Sequence, residues 1–177
     1  MYINIIMAGF GGQGVLTLGK LVCLAADSAG KNATFFPSYG GEQRGGTCNC
    51  TVVISDEEIG TPIVNKADYI IVMNEPSYDK FKNSVVSGGT LIINESQIHK
   101  SEVLEGINQV RVKSDDIAAE AGNRLASNMV MLGAFTGFTK FVGEDVVKEI
   151  IKESMSSKKQ YLETNLNAFE KGLGQGE

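Results

Sequence analysis

Cysteine and histidine are scarce in this sequence, which has three cysteines, one histidine and no tryptophan among its 177 residues. An iron–sulfur cluster usually takes four cysteines, so we expect this chain to hold no cluster and no metal ion by itself. The cysteines include no CxxC pair. They therefore indicate a reducing, cytoplasmic setting rather than a disulfide framework.

Basic residues and long apolar runs are also lacking. The chain has 16 Lys and Arg residues against 21 Asp and Glu residues, for a formal net charge of −5. Nucleic acids and anionic membranes bind concentrated positive charge, so we expect neither to be a partner. No apolar run approaches the ~20 residues of a membrane-spanning helix. The N-terminus also lacks the basic region of a secretory signal.

The length and the order of apolar segments predict one α/β domain over residues 1–177. Short runs of β-branched residues alternate with helical patterns, as is typical of a Rossmann-like three-layer domain with a mostly parallel sheet and C-terminal helices. The predicted strands cover residues 2–8, 34–36, 47–55, 69–74, 90–94 and 107–112, with a turn at Gly88-Gly89. The predicted helices cover residues 13–29, 76–81 and most of the chain after Asp115, with breaks near Gly122 and Gly143.

The first predicted helix is apolar on nearly every side. In its sequence, VLTLGKLVCLAADSA, Lys20 is the only basic residue. A helix without a polar face is usually covered on both sides. One cover is the sheet; the other is either a neighbouring subunit or the helices at the end of this same chain.

Residues 9–14, Gly-Phe-Gly-Gly-Gln-Gly, form a glycine turn between the first strand and the first helix. Gly9, Gly11 and Gly14 fit the pattern GxGxxG, whose glycines permit a tight turn, close approach of an anion, and close helix–sheet packing. The start of the helix adds free N–H groups and a positive dipole end. The glycine turn is therefore a candidate phosphate site, or only a tight turn that packs against a partner.

Two common phosphate sites do not fit the glycine turn. An NAD site requires an acidic residue about 20 residues later, yet no acid lies between Asp27 and Glu42. A P-loop requires Lys and then Ser or Thr after its last glycine, whereas Val15 and Leu16 follow here. Another phosphate group, such as that of coenzyme A, stays possible.

A second glycine-rich segment, residues 37–47 with the sequence PSYGGEQRGGT, is named here the arginine loop. Arg44 offers a rigid fork of donors suited to carboxylate or phosphate. The glycine pairs on both sides of it let a backbone or ligand approach closely. The loop either presents Glu42 and Arg44 at a subunit contact or substrate channel, or is a solvent-exposed connection.

Other chemistry-bearing residues favour structural roles. Cys48 and Cys50 are two apart on a predicted strand, so they share a face, and we expect both to be buried. His99 is expected at the surface. Gly133 and Gly137 are one helical turn apart and permit a close helix crossing. No Ser/His/Asp or Cys/His set emerges, so we predict no complete active site in this chain.

Several motifs together resemble the gamma subunit of 2-oxoacid:ferredoxin oxidoreductases, with the 2-oxoglutarate type most similar. The resemblance covers nearly the whole chain. One departure is Gly41, where such chains often carry proline. The motifs are GFGGQG, PSYGGEQRGGT, TVVISDEEIG, Ala67-Asp68, Met73 to Ser77, Gly88-Gly89, Asn128 to Ala134, and Asn165-x-x-Ala168-Phe169.

The resemblance implies a division of labour among subunits. The family decarboxylates a 2-oxoacid, passes electrons to ferredoxin and releases acyl-CoA. Thiamine diphosphate, its magnesium ion and the iron–sulfur clusters would lie on companion alpha, beta and delta subunits, with coenzyme A as co-substrate. The gamma chain would be an α/β unit docked on that core.

We therefore expect the two glycine-rich segments and the first helix to form a docking face and to help shape the coenzyme A path. The rival hypothesis is a stand-alone nucleotide-binding regulator or small oxidoreductase. The candidate contact residues are Gly9, Gly11, Gly12, Gln13, Gly14, Ser38 and Arg44.

Overall fold

A computed structural model describes residues 1–39 and 47–176 of the chain. Its strands are β1 (Tyr2–Phe10), β2 (Asn32–Tyr39), β3 (Thr47–Ser55), β4 (Ala67–Val72), β5 (Val85–Asn94) and β6 (Asn108–Val112). Its helices are α1 (Val15–Ser28), α2 (Glu75–Phe81), α3 (Ser114–Glu120), α4 (Ser127–Thr139), α5 (Glu144–Ser154) and α6 (Leu162–Leu173). None of these helices combines the length and the apolarity needed to traverse a bilayer.

The six strands form one sheet in the order β2-β3-β1-β4-β5-β6. The strands β1, β4, β5 and β6 run parallel, whereas β3 is antiparallel to both β1 and β2. Parallel neighbours need a crossover, and neighbours joined by a short connection are antiparallel, which explains the orientation of β3 next to β2. The predicted mostly parallel α/β sheet is confirmed.

Two cores lie on opposite faces of the sheet. Alternate residues of β1 point to opposite faces: Ile5 and Met7 belong to the larger core with α1 and α4, and Ile6 belongs to the smaller core. The smaller core includes Tyr78 of α2, which is fully buried. The helices α1 and α2 therefore cover different faces, although each directly follows a strand of the parallel set.

Helix α1 is covered by the chain itself. It packs against β1, β2 and β3 and also contacts α4 and α5. Leu18, Val22 and Ala25 are completely buried in this packing. Of the two covers considered from the sequence, the structure therefore shows the chain's own C-terminal helices, and a strip of α1 through Thr17, Lys20 and Leu24 faces solvent.

The predicted close helix crossing at Gly133 and Gly137 is present, and α6 supplies matching glycines. A Cβ atom added to Gly133 would lie 2.1 Å from the carbonyl oxygen of Phe169. One added to Gly172 would lie 2.1 Å from the carbonyl oxygen of Val130. The backbones of α4 and α6 are therefore in direct contact, and neither glycine can gain a side chain without separating the helices.

Several strand boundaries differ from the sequence prediction, most of all those of β5 and β2. The predicted turn at Gly88-Gly89 lies inside one continuous strand, β5. At this point Gly88 adopts a φ of 77°, and the pairing register between β5 and β4 shifts. Strand β2 continues past Phe36 to Tyr39, so it includes the first three residues of the arginine loop, 37–39. Pairing with β3 extends across Pro37, which an edge strand tolerates because its missing N–H can face solvent.

Candidate functional site

The glycine turn lies at the carboxyl end of β1, where β1 and the parallel strand β4 are neighbours. The chain leaves β1 into α1 on one face of the sheet and leaves β4 into α2 on the other. In open α/β sheets, such a divergence forms the crevice in which ligands usually bind. The fold therefore places the glycine turn at the most favourable edge of the sheet for binding.

Gln13 fastens the glycine turn to both strands. Its side-chain Oε1 accepts hydrogen bonds from the backbone N–H of Phe10 at 2.7 Å and from Nδ2 of Asn74 at 3.0 Å. Its Nε2 donates to the carbonyl oxygen of Met73 at 3.2 Å. The Gln13 side chain thus points into the protein and holds the shape of the turn.

The first and last glycines of the pattern are required by internal packing. A Cβ atom on Gly9 would lie 2.7 Å from Gln13 Oε1 and 2.9 Å from Met73 Cβ. One on Gly14 would lie 2.3 Å from the side chain of Asn128. Gly14 also has a φ of 74°, which favours glycine. These two positions therefore need no ligand to explain them.

Gly11 and Gly12 differ from their neighbours because both face open space. Both are exposed, and among residues 1–39 and 47–176 no atom lies within 4 Å of a Cβ atom built on either. Gly12 has a φ of 99°, so its backbone conformation explains its identity. Gly11 has no left-handed conformation, and no described residue crowds it, so the described part of the fold does not require glycine there.

Asn128, near the start of α4, joins that helix to the glycine turn. Its Nδ2 donates to the carbonyl oxygen of Gly14 at 3.2 Å. The two residues are 114 positions apart in the chain. The motif around Asn128 was expected to pack in the core; it also fixes the last residue of the turn.

A buried polar cluster extends from the glycine turn along the carboxyl ends of the strands. Asn94, the last residue of β5, donates from Nδ2 to Met73 O at 3.3 Å and to Asp115 Oδ1 at 2.9 Å. Ser127 donates to the same carboxylate oxygen at 2.7 Å, and Gln97 donates to Oδ2. The cluster connects the crevice beside Gln13 with the start of α4.

The Asp115 carboxylate is nearly buried but fully engaged. Burial acts to raise its pKa, but its three hydrogen bonds and the positive charge of Arg124, 3.7 Å away, outweigh burial. The net pKa lies below the ordinary value for aspartate. A charged, well-satisfied carboxylate is suited to holding elements together rather than to proton transfer near neutral pH.

Sequence reasoning missed this polar cluster, although a signal existed. Asn74 follows β4, Asn94 ends β5 and Asp115 follows β6. Parallel strands end at the same edge of a sheet, so polar residues directly after them converge.

The flanks of the arginine loop lie at the same edge as the glycine turn. Thr47, the first residue of β3, pairs with Phe10, and Ser38 near the end of β2 is exposed. Residues 40–46, including the candidate Arg44, lie outside the described part of the chain. The register therefore brings together the candidates Gly9 to Gly14 and the two ends of the segment that carries Arg44.

The cysteines and the histidine have ordinary surroundings. Cys50 is buried with Sγ 3.7 Å from the carbonyl oxygen of Val15, and burial raises its pKa to about 12. Cys48 is only half-buried, so the expected burial holds for one of the pair. His99 is exposed, as predicted. Within residues 1–39 and 47–176, no three His, Cys, Asp or Glu side chains are grouped to hold a metal ion.

Comparison with known proteins identifies similar chains. Residues 4–175 match the family described as "Pyruvate ferredoxin/flavodoxin oxidoreductase". The chain is 37% identical over 172 residues to "Ketoisovalerate oxidoreductase subunit VorA" of Methanothermobacter thermautotrophicus, covering 96% of this chain and 35% of VorA.

Two solved structures have the same fold. The gamma subunit of a keto/oxoacid ferredoxin oxidoreductase from Geobacter sulfurreducens superposes with a TM-score of 0.85 at 25% identity, covering 98% of both chains. A chain of 2-oxoglutarate:ferredoxin oxidoreductase from Magnetococcus marinus, solved with 2-oxoglutarate, coenzyme A and succinyl-CoA, gives 0.91 at 25% identity over 99% of this chain. The present chain spans only 31% of that longer one, and about a third of VorA.

Proposed function

Because the chain belongs to the pyruvate ferredoxin/flavodoxin oxidoreductase family, we propose that it is the gamma subunit of a multi-subunit 2-oxoacid:ferredoxin oxidoreductase. The complex would convert a 2-oxoacid and coenzyme A to acyl-CoA and CO2 and pass electrons to ferredoxin. The family match over residues 4–175 carries this proposal. The Geobacter gamma subunit, a separate chain of the same extent, supports it.

We propose 2-oxoglutarate as the substrate, in keeping with the resemblance of the sequence. Similar proteins include both a ketoisovalerate and a 2-oxoglutarate enzyme. The oxoacid pocket would lie on other subunits, so the substrate is a property of the complex. Assay of the purified complex against several 2-oxoacids tests this choice, and a higher kcat/KM for any other oxoacid contradicts it.

Thiamine diphosphate, magnesium and the iron–sulfur clusters belong to the companion alpha, beta and delta subunits in this proposal. When bound there, they supply the carbanion and electron-transfer chemistry. The cysteines of this chain do not suit a cluster, because Cys50 is buried in packing between β3 and α1. This chain would act as one domain, residues 1–177, in the cytoplasm.

We propose that the exposed part of the glycine turn contacts either coenzyme A or a companion subunit. Gly11 and Gly12 leave their backbone uncovered beside the start of α1, where N–H groups and the helix dipole favour an anion. Ser38 and Arg44 would add contacts from the neighbouring arginine loop. Gly9, Gln13 and Gly14 would hold the turn in shape.

Purification from the native source tests the subunit assignment. We expect the chain to elute in a complex with the alpha, beta and delta chains, and the complex to reduce ferredoxin when given a 2-oxoacid and coenzyme A. The rival, a stand-alone regulator or small oxidoreductase, predicts a monomer or homodimer that binds a nucleotide. Native mass spectrometry distinguishes the two, and isolation without companion chains would reject the proposal.

Replacing Gly11 with leucine tests the exposed turn. The new side chain points to open space, so the free energy of unfolding is expected to change by less than about 0.5 kcal/mol. If coenzyme A or a companion subunit approaches this backbone closely, the bulky side chain blocks that approach. The KM for coenzyme A, or the dissociation constant of the subunits, should then rise by about tenfold.

The matched control is Gly60→Leu, because Gly60 is also exposed with open space around it. That variant should resemble the unmodified complex in both measurements. If Gly11→Leu also leaves KM and subunit affinity unchanged, the glycine turn contacts neither coenzyme A nor a companion subunit.

A further inference from the structure

An open groove of about 470 Å³ lies beside the strip of α1 that faces solvent. Its other walls come from the start of α4, the end of α5 and the segments around residues 158 and 165. The groove includes Asn128, which binds the glycine turn through Gly14. It is therefore adjacent to the candidate site but extends away from it along α1.

The groove has an apolar floor between apolar rims. Leu21, Met129 and Ile151 contribute buried side chains to the floor. Leu24 and Leu125 stand at the rims and are 39% and 83% exposed. Methionine adapts its shape to different partners, and large exposed apolar side chains grouped at one place mark interaction sites.

The charge of the groove is opposite to that of the whole chain. Among its described lining residues, Lys20 and Lys158 carry positive charge and none carries a carboxylate. Within the described ranges, neither lysine has a carboxylate oxygen within 4.0 Å, whereas lysines such as Lys31 and Lys82 do. An unpaired positive rim in a chain of net charge −5 favours an acidic occupant.

The two lysines and the apolar floor favour an acidic protein segment over a membrane or a second copy of this chain. Two lysines are too few for an anionic membrane, which takes clusters of about four to eight basic residues. A second copy binding through the same groove would bring Lys20 and Lys158 against themselves, which like charges disfavour. A segment with apolar anchors next to Asp or Glu satisfies both the floor and the rim.

We propose that this groove, defined by Lys20, Lys158 and the apolar floor between them, binds an acidic amphipathic segment of a companion subunit. The proposal rests on the gamma-subunit function and names a surface and a partner chemistry for it. The groove would seat the anchors of that segment, and the two lysines would pair with its carboxylates.

Zero-length carbodiimide cross-linking of the intact complex tests the contact, because it joins a lysine only to a carboxylate already in contact with it. We expect peptides that link Lys20 or Lys158 to an Asp or Glu of a companion subunit. Links only within this chain, or only to a second copy of it, would overturn the proposal.

Charge reversal provides an independent readout. We expect Lys20→Glu with Lys158→Glu to weaken binding of this chain to its companion subunits by about tenfold or more, and to weaken the salt dependence of that binding. Lys159→Glu is the matched control, since Lys159 is exposed next to the groove but does not line it. Circular dichroism should be unchanged in both the double variant and the Lys159→Glu control.

The outcomes separate this proposal from the function on which it rests. If the chain assembles and the double variant binds like the Lys159 control, the groove proposal is wrong and the subunit assignment stands. If the chain has no companion subunits at all, both are wrong.

Discussion

Gly133→Ala is expected to lower the free energy of unfolding by about 3 kcal/mol, the upper part of the usual range for overpacking a core. The added Cβ would lie 2.1 Å from Phe169 O and 2.8 Å from the backbone nitrogen of Leu173. Both obstacles are backbone atoms, so relief requires moving α6 as a whole. Helix propensity alone predicts that this change raises the free energy of unfolding by about 1 kcal/mol. The sign of the measured change therefore shows whether overpacking or helix propensity dominates.

Gly174→Ala is the matched control for Gly133→Ala. Gly174 ends α6 with a φ of −69°, and the nearest atom to an added Cβ lies 3.9 Å away. Its unfolding free energy should stay within about 0.5 kcal/mol of the unmodified chain. Urea denaturation measures all three proteins, and a Gly133→Ala variant as stable as the control would show that α4 and α6 are not in backbone contact.

Asp115→Asn is expected to lower the free energy of unfolding by about 3 kcal/mol at pH 7, because hydrogen bonds to a charged group contribute about 1.5–3 kcal/mol each and not all of them are lost. The amide places a donor where the carboxylate accepts from Asn94, Ser127 and Gln97. The neighbouring Asp116 is exposed and provides the control as Asp116→Asn, with an expected change below about 0.5 kcal/mol.

The effect of Asp115→Asn should depend on pH. The pKa of Asp115 is lowered in the folded chain, so its stabilisation is complete above the unfolded value of about 4 and is lost as the pH falls through the folded value. The difference between the variant and the unmodified chain should therefore shrink below about pH 4. A difference that stays constant from pH 7 to pH 3 would contradict a charged Asp115.

The local sequence patterns predicted most of the fold for identifiable reasons. Strand β3 begins and ends at the predicted residues, and five of its nine residues are β-branched Thr, Val or Ile, which favour extended structure. The extra length of β2 past Phe36 depends on pairing with β3, which local propensity does not encode. The cover of α1 depends in the same way on α4 and α5, which lie about 100 residues further along the chain.

The position of the glycine turn was predicted from the sequence, but its internal contacts were not. The pattern GxGxxG correctly places the turn between β1 and α1. It does not reveal that Gln13 points inward or that Gly14 faces Asn128, because both facts depend on distant residues. The pattern also treats all its glycines alike, whereas contacts among the described residues explain Gly9 and Gly14 but not Gly11.

The position of Pro37 on an outermost strand of the sheet has a consequence for the solubility of the chain. An outer strand with a full set of free N–H groups can recruit another strand and begin aggregation. Proline removes one such donor in the middle of β2, and β6, the strand at the opposite border, has only five residues. The chain would thereby resist self-association through the two borders of its sheet.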